Sequence, residues 1–154
     1  MTLKSLLTKI LLIFLVLAIG FCGLLYLTLR TRVIDVSDQE PFSSFINKEI
    51  ILGQDAILVN NYEHFVHEEP LYLDVVGSQL FEGTTIAYKL SKGDIIVINK
   101  VKNFTNGVSG TTSTIFIGKV TTGSPKNTIP FEYDWQKQQI AKNEQGIYIF
   151  TLER

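Results

Sequence analysis

The hydrophobic pattern divides the chain into one continuous apolar stretch and a longer part in which apolar and polar residues alternate. Ile10–Leu29 is a run of twenty residues without a charge, bounded by Lys9 and Arg30. A helix of that length spans roughly 30 Å, the thickness of the hydrocarbon core of a bilayer, and only a helix satisfies its own backbone hydrogen bonds in lipid. The pattern therefore predicts a membrane anchor over residues 1–32, with a transmembrane helix at about 10–29.

The charges that flank the apolar run bear on its orientation. Lys4 and Lys9 favour a cytoplasmic N-terminus, whereas Arg30 and Arg32 oppose it. We expect a single-pass protein with its N-terminus in the cytoplasm and the remainder in the periplasm, on the cell surface or in a lumen. The alternative is a signal sequence cut after Gly20, which would give a secreted protein. An uncleaved anchor is preferred, because cleavage there would leave an apolar N-terminus on the product.

Beyond residue 33 the dominant period is two, which is the spacing of β-strands with one buried face. Turn residues such as Lys92-Gly93 and Asn106-Gly107 separate the alternating runs. About eight short strands are predicted, at Glu49–Leu52, Ala56–Asn60, Leu71–Val76, Thr84–Leu90, Asp94–Val101, Thr114–Val120, Ile129–Trp135 and Gly146–Leu152.

This spacing of strands is typical of an all-β fold, a small barrel or sandwich of about the size of SH3 or OB domains. We expect a linker over 33–41, which is polar and acidic, and a β domain over 42–154. Thr84–Leu90 and the strand after it form one predicted hairpin, and that strand and the next form a second. Helical structure is expected only as one turn near Pro41 and as a short helix or turn within Asp134–Lys142.

Composition excludes several classes of protein. The chain has 14 basic and 15 acidic residues, a formal net charge of −1, which argues against a nucleic-acid binder. Residues 33–154 carry all 15 acids and ten of the basic residues, a net charge of −5. Cys22 is the one cysteine, so an intramolecular disulfide is excluded. No phosphate-binding glycine motif or nucleophile elbow is present, and the sequence indicates no cofactor.

The two histidines lie in one acidic segment, Tyr62–Glu69. His64 and His67 have a spacing that would suit a divalent metal ion on a helix. The segment lies between two predicted strands and runs into Pro70, so we interpret it as an exposed loop. A metal-dependent envelope hydrolase that uses His64, His67 and Glu68 is kept as the alternative.

The predicted function is binding rather than catalysis, with a membrane-tethered β domain that contacts another protein. Loops on a rigid β scaffold carry recognition, which favours the acidic segment and the loop at Asn106. Phe131, Tyr133 and Trp135 share one strand face and are expected in the core, with an exposed stripe for a peptide or glycan as the alternative. A structural subunit of a membrane complex is the third hypothesis. The candidate contact residues are Tyr62, Glu63, His64, Phe65, His67, Glu68, Glu69, Asn106 and Ser109.

Overall fold

The computed structural model describes residues 3–62, 67–122, 127–135 and 138–152. These residues belong to two compact units. One unit contains the chain up to Arg32 together with Thr105–Thr112, and the other contains the remainder.

A single long helix, α1, occupies Leu3–Leu29. Within it, Lys9–Leu29 is long and apolar enough to cross a membrane, and none of that stretch is buried against the rest of the chain. The predicted N-terminal apolar helix is therefore confirmed, with a length and composition that suit an anchor or a signal sequence.

Ten strands are found in the described part of the chain, with one turn of 3-10 helix at Phe42–Ser44. Eight of the ten match the predicted strands, with small changes at their ends. The strands are β1 (Arg32–Asp35), β2 (Glu49–Leu52), β3 (Ala56–Asn60), β4 (Tyr72–Val75), β5 (Thr85–Leu90), β6 (Ile95–Thr105), β7 (Thr112–Thr122), β8 (Asn127–Asp134), β9 (Gln138–Lys142) and β10 (Tyr148–Leu152).

The strands form one sheet in the order β5, β3, β4, β8, β7, β6, β2, β10, β9, and β1 pairs with β6 beside this path. The pairs β2–β10 and β4–β8 are parallel. The sheet is not closed, so β5 and β9 are its two ends. The all-β prediction is confirmed, and an open sheet of this kind is compatible with a barrel-like or sandwich-like arrangement.

The predicted short helix or turn within Asp134–Lys142 is wrong at its C-terminal part, which forms β9. This strand pairs with β10 from Gln138↔Leu152 to Lys142↔Tyr148. Its Ile140 packs against the core. Pairing and burial therefore outweigh the local helix propensity of these residues.

One of the two predicted hairpins is also wrong. β5 pairs with β3, whereas β6 lies between β7 and β2. The turn between β5 and β6 is instead bound to the end of β2 and to the turn after it. The Gly93 N–H donates to the Leu52 carbonyl (2.8 Å), and the Lys92 N–H donates to the Asp55 carboxylate (2.9 Å). These bonds direct the chain away from β5. The second hairpin, β6–β7, is confirmed.

The start of the segment predicted as a linker, 33–41, is part of the sheet. Its first residues belong to β1, and Val36 is buried in the core. The Val36 N–H donates to the Val101 carbonyl at 2.9 Å. The polar composition of 33–41 indicated a linker and gave no sign of this pairing. A strand at the edge of a sheet does not need to alternate between apolar and polar residues, so the sequence did not reveal β1.

An aromatic cluster occupies part of the core. The ring of Phe116 lies 4.7 Å from that of Trp135, 5.8 Å from that of Phe45 and 6.0 Å from that of Phe42, measured between centroids. Phe116 is fully buried and Trp135 half-buried. The edge-to-face and tilted geometries are those that aromatic pairs prefer.

Gly118 in β7 allows an unusually close approach of backbone. A methyl group on Gly118 would lie 2.6 Å from the Val97 carbonyl oxygen and 3.3 Å from the ring of Phe131, its cross-strand neighbour. Glycine is the residue that fits such a contact. Phe131 and Tyr133 are both buried, as the sequence predicted.

Candidate functional site

The acidic segment contains Tyr62, which was expected to be exposed. That expectation is wrong, because Tyr62 is 9% exposed and belongs to the core. Its ring stacks on Tyr72 at 4.9 Å and is tilted against Phe81 at 5.5 Å. Burial, with a smaller contribution from Asp74, raises the pKa of the Tyr62 phenol, so this side chain is neutral at physiological pH. Glu63, His64 and Phe65 lie outside the described residues.

The C-terminal half of the segment is held by a buried carboxylate. Glu132 in β8 is fully buried. Its two carboxylate oxygens accept hydrogen bonds from the backbone N–H groups of His67 (2.6 Å), Glu68 (2.5 Å) and Glu69 (2.8 Å). Three consecutive backbone donors thus solvate the carboxylate in place of water, which meets the requirement that a buried charge be hydrogen-bonded.

Side chains of the segment also contact β6. Lys102 Nζ lies 2.5 Å from Glu68 Oε1, and the His67 ring stacks on Phe104 at 4.2 Å. Phe104 belongs to a small second cluster with Ile115 and Ile117. Ile117 is the cross-strand neighbour of Glu132, so both side chains lie on the same face of the sheet, opposite Phe131 and Tyr133.

These contacts bear on the chemistry proposed for the segment. Glu68 is paired with Lys102, and His67 is stacked on an aromatic ring, although both remain exposed at the surface. Glu69 is half-buried. Within the described ranges, no three His, Cys, Asp or Glu side chains come together as a group that could hold a metal ion. The predicted pair of His64 with His67 is not described, since His64 falls in the gap.

The second predicted contact loop is the turn of the β6–β7 hairpin. The Asn106 side-chain oxygen accepts hydrogen bonds from the N–H groups of Val108 (2.8 Å) and Ser109 (3.1 Å). Ser109 Oγ in turn accepts from the Thr111 N–H at 3.2 Å. Asn106 and Ser109 are exposed, but their side chains stabilise the turn itself.

A surface that the sequence did not indicate lies at the end of the sheet. Among the described residues, β5 pairs only with β3 and is the end strand of the sheet. Ile86 and Tyr88, which are 47% and 42% exposed, lie on either side of a register shift in the β3–β5 pairing, where Val59 pairs with Ile86 and Leu58 with Tyr88. Phe81, in the loop that leads into β5, is 58% exposed. We call β5 with these three side chains the β5 edge.

The β5 edge carries part of the protection that sheet edges usually have, namely one lysine and a register shift opposite Leu58 and Val59. Edge strands are commonly shielded by charges, proline or covering segments. In β5, Lys89 is the only charged residue and there is no proline. Its alternating pattern predicted a buried face, and no local signal distinguishes a covered face from an exposed one. Within the described residues, the candidate surface that the structure offers is therefore an apolar strand edge.

Comparison of this chain with protein-family models, with curated proteins and with solved structures finds no match.

Proposed function

We propose that this chain is a single-pass membrane-anchored protein whose β domain binds another protein, at the membrane or in the envelope, along the β5 edge. The observation that supports the proposal is an end strand of the sheet that pairs on one side within the described part of the chain, with exposed Ile86 and Tyr88. An unpaired strand edge offers backbone N–H and C=O groups to an extended segment of a partner, and neighbouring apolar side chains give that pairing specificity.

A binding function also agrees better with the acidic segment than the hydrolase alternative does. In the alternative, Glu68 would act at a metal centre beside His64 and His67. Glu68 instead forms an ion pair with Lys102, and its backbone is bound to Glu132. Lys102 would therefore compete with a metal ion for the Glu68 carboxylate.

We further propose that α1 remains attached and that the β domain lies outside the cytoplasm. The helix leads directly into β1 at Arg32, and Gly107 of the β6–β7 hairpin lies against the backbone of Leu29. A removable signal sequence would need neither feature. Lys4 and Lys9 support a cytoplasmic N-terminus.

The full-length protein, expressed in its host with a C-terminal tag, tests this placement. We expect it to stay in the membrane pellet after carbonate extraction at its full mass of 17.4 kDa plus the tag. Protease added outside intact cells or spheroplasts should remove the tag, because the proposed topology exposes the C-terminus there. A shortened product released from the membrane, or a tag that only lysis makes accessible, would contradict the proposal.

Photo-crosslinking at Tyr88 tests the β5 edge. We expect a benzoylphenylalanine at this position, in the full-length protein in its native membrane, to form an adduct with a second protein. Ile86→Lys should lower the yield of that adduct several-fold, since a charge beside the unpaired edge opposes strand addition. The readout is the mass of the adduct and its intensity on a blot.

The matched control is Ile147→Lys, which introduces the same charge at an exposed isoleucine (38%) in the turn before β10. It should leave the adduct unchanged. An absent adduct, or one insensitive to Ile86→Lys, would contradict binding at the β5 edge. An adduct with a second copy of this chain would favour the structural-subunit hypothesis instead.

A further inference from the structure

We propose that the turn of the β6–β7 hairpin, residues 106–111 (the hairpin tip), inserts into the interfacial layer of the bilayer and that Val108 is the side chain it buries there. This inference rests on the proposed membrane anchoring of α1. The hairpin tip would thus contact a lipid surface, whereas Asn106 and Ser109 were predicted from the sequence to contact a protein partner.

The first step is a backbone contact between the hairpin tip and the end of α1, both of which belong to the same compact unit. A methyl group on Gly107 would lie 2.5 Å from the carbonyl carbon and oxygen of Leu29 and 2.6 Å from the carbonyl oxygen of Arg30. Such distances leave room only for glycine. The hairpin tip is therefore packed directly on the last residues of the helix.

The second step is that this contact determines the depth of the hairpin tip in the bilayer. The uncharged run of α1 ends at Leu29, and Arg30 is the first charge after it. In a spanning helix this transition lies at the boundary between the hydrocarbon core and the headgroups. A residue in contact with the backbone of Leu29 has nearly the same depth. The hairpin tip consequently lies at the membrane boundary whenever α1 spans the bilayer.

The third step is the composition of the hairpin tip, which suits that boundary. No charged residue occurs in the sixteen positions 103–118, so insertion would not require a charge to be dehydrated. Val108 is 76% exposed, which is the highest value among the large hydrophobic side chains of the described residues. An exposed valine on an uncharged turn beside a membrane helix is expected to lie in lipid rather than in water.

Backbone polar groups of the hairpin tip are also hydrogen-bonded within the turn, which suits a medium poor in water. The Asn106 N–H donates to the Thr111 carbonyl (2.9 Å), and the Gly110 N–H donates to the Asn106 carbonyl (2.8 Å). The Asn106 side chain accepts the N–H groups of Val108 and Ser109. Internal satisfaction of these polar groups lowers the cost of placing the turn near hydrocarbon.

A depth measurement on the full-length protein in vesicles of phosphatidylcholine and phosphatidylglycerol tests the proposal. In a Cys22→Ala background, Val108→Cys carries an environment-sensitive fluorophore, and lipids with a nitroxide near the headgroup serve as quenchers. We expect quenching at position 108 to exceed several-fold that of the matched label at Val76→Cys. Val76 is the same residue type, also exposed (46%), and lies in the loop after β4.

A third label, Leu17→Cys in the middle of α1, reports anchoring separately through lipids with a nitroxide deep in the acyl chain. If Leu17→Cys is quenched and Val108→Cys is quenched no more than Val76→Cys, the hairpin-tip proposal is wrong while the anchor stands. If Leu17→Cys is not quenched, the anchor fails and the hairpin-tip proposal fails with it.

Gly107→Val tests the contact that sets the depth. The added side chain should displace the hairpin tip from Leu29 and reduce the quenching at position 108, while the quenching of Leu17→Cys and the emission of Trp135 stay unchanged. Unaltered quenching at position 108 in this variant would overturn the argument that the helix contact determines the depth of the hairpin tip.

Discussion

Replacing Glu132 with alanine is expected to lower the free energy of unfolding by about 3 kcal/mol. The carboxylate is fully buried and accepts hydrogen bonds from the backbone N–H groups of His67, Glu68 and Glu69. Each hydrogen bond to a charged group contributes roughly 1.5–3 kcal/mol. The expected total lies below the sum of three such bonds, because His67 and Glu68 lie at the surface and water can reach part of the vacated site. Denaturant unfolding of the full-length protein in detergent micelles, followed by the fluorescence of the single tryptophan, measures the loss.

Two further variants make that experiment decisive. Glu132→Gln keeps the shape and one acceptor oxygen, so about half of the loss is expected. Glu144→Ala removes an exposed glutamate from the turn before β10 and should change the free energy of unfolding by less than about 0.5 kcal/mol. If Glu132→Ala unfolds like Glu144→Ala, the three N–H groups do not depend on this carboxylate.

The second large effect is expected for Phe116→Ala, which should cost about 4 kcal/mol. The side chain is fully buried, and its ring contacts those of Phe42, Phe45 and Trp135. Truncation of a buried phenylalanine removes transfer free energy and leaves a cavity, which together amount to roughly 3–5 kcal/mol. The emission of Trp135 should also change in the folded state, because its nearest ring neighbour is lost.

Phe116→Leu separates the two contributions to this loss. Leucine retains most of the buried apolar volume but none of the ring contacts, so a cost of about 1–2 kcal/mol is expected. A Phe116→Ala variant no less stable than Phe116→Leu would mean that the neighbouring aromatic side chains fill the space.

The helix and eight strands were predictable because their signals are local. An uncharged run such as Ile10–Leu29, or the alternation in β5, needs no knowledge of distant residues. The order of strands was not predictable, since it depends on contacts far apart in sequence. The turn at Gly93 had hairpin chemistry, yet it binds Leu52 and Asp55, and β5 pairs with β3. Gln138–Lys142 was misassigned because its pairing with β10 outweighs a local helix preference.

The candidate site was largely hidden from the sequence for the same reason. An alternating strand shows which residues share a face, but it does not show whether that face is covered. Ile86 and Tyr88 therefore resembled core residues and are exposed, whereas Tyr62 was expected at the surface and is covered by Tyr72 and Phe81. Glu132 gave no signal, since its partners are backbone N–H groups of a segment more than sixty residues earlier.

The parallel pairing of β2 with β10 constrains how the protein is made. Ile50 pairs with Tyr148, and the Gln54 side chain donates to the Leu152 carbonyl, 98 residues further along. At a synthesis rate of about 5–20 residues per second, β2 waits roughly 5–20 s for this neighbour. α1 leaves the ribosome well before then, so under the proposed anchoring the helix would enter lipid while the sheet is still incomplete. During that interval the side of β2 that β10 will occupy is open to wrong partners, and pairing with β10 ends that exposure.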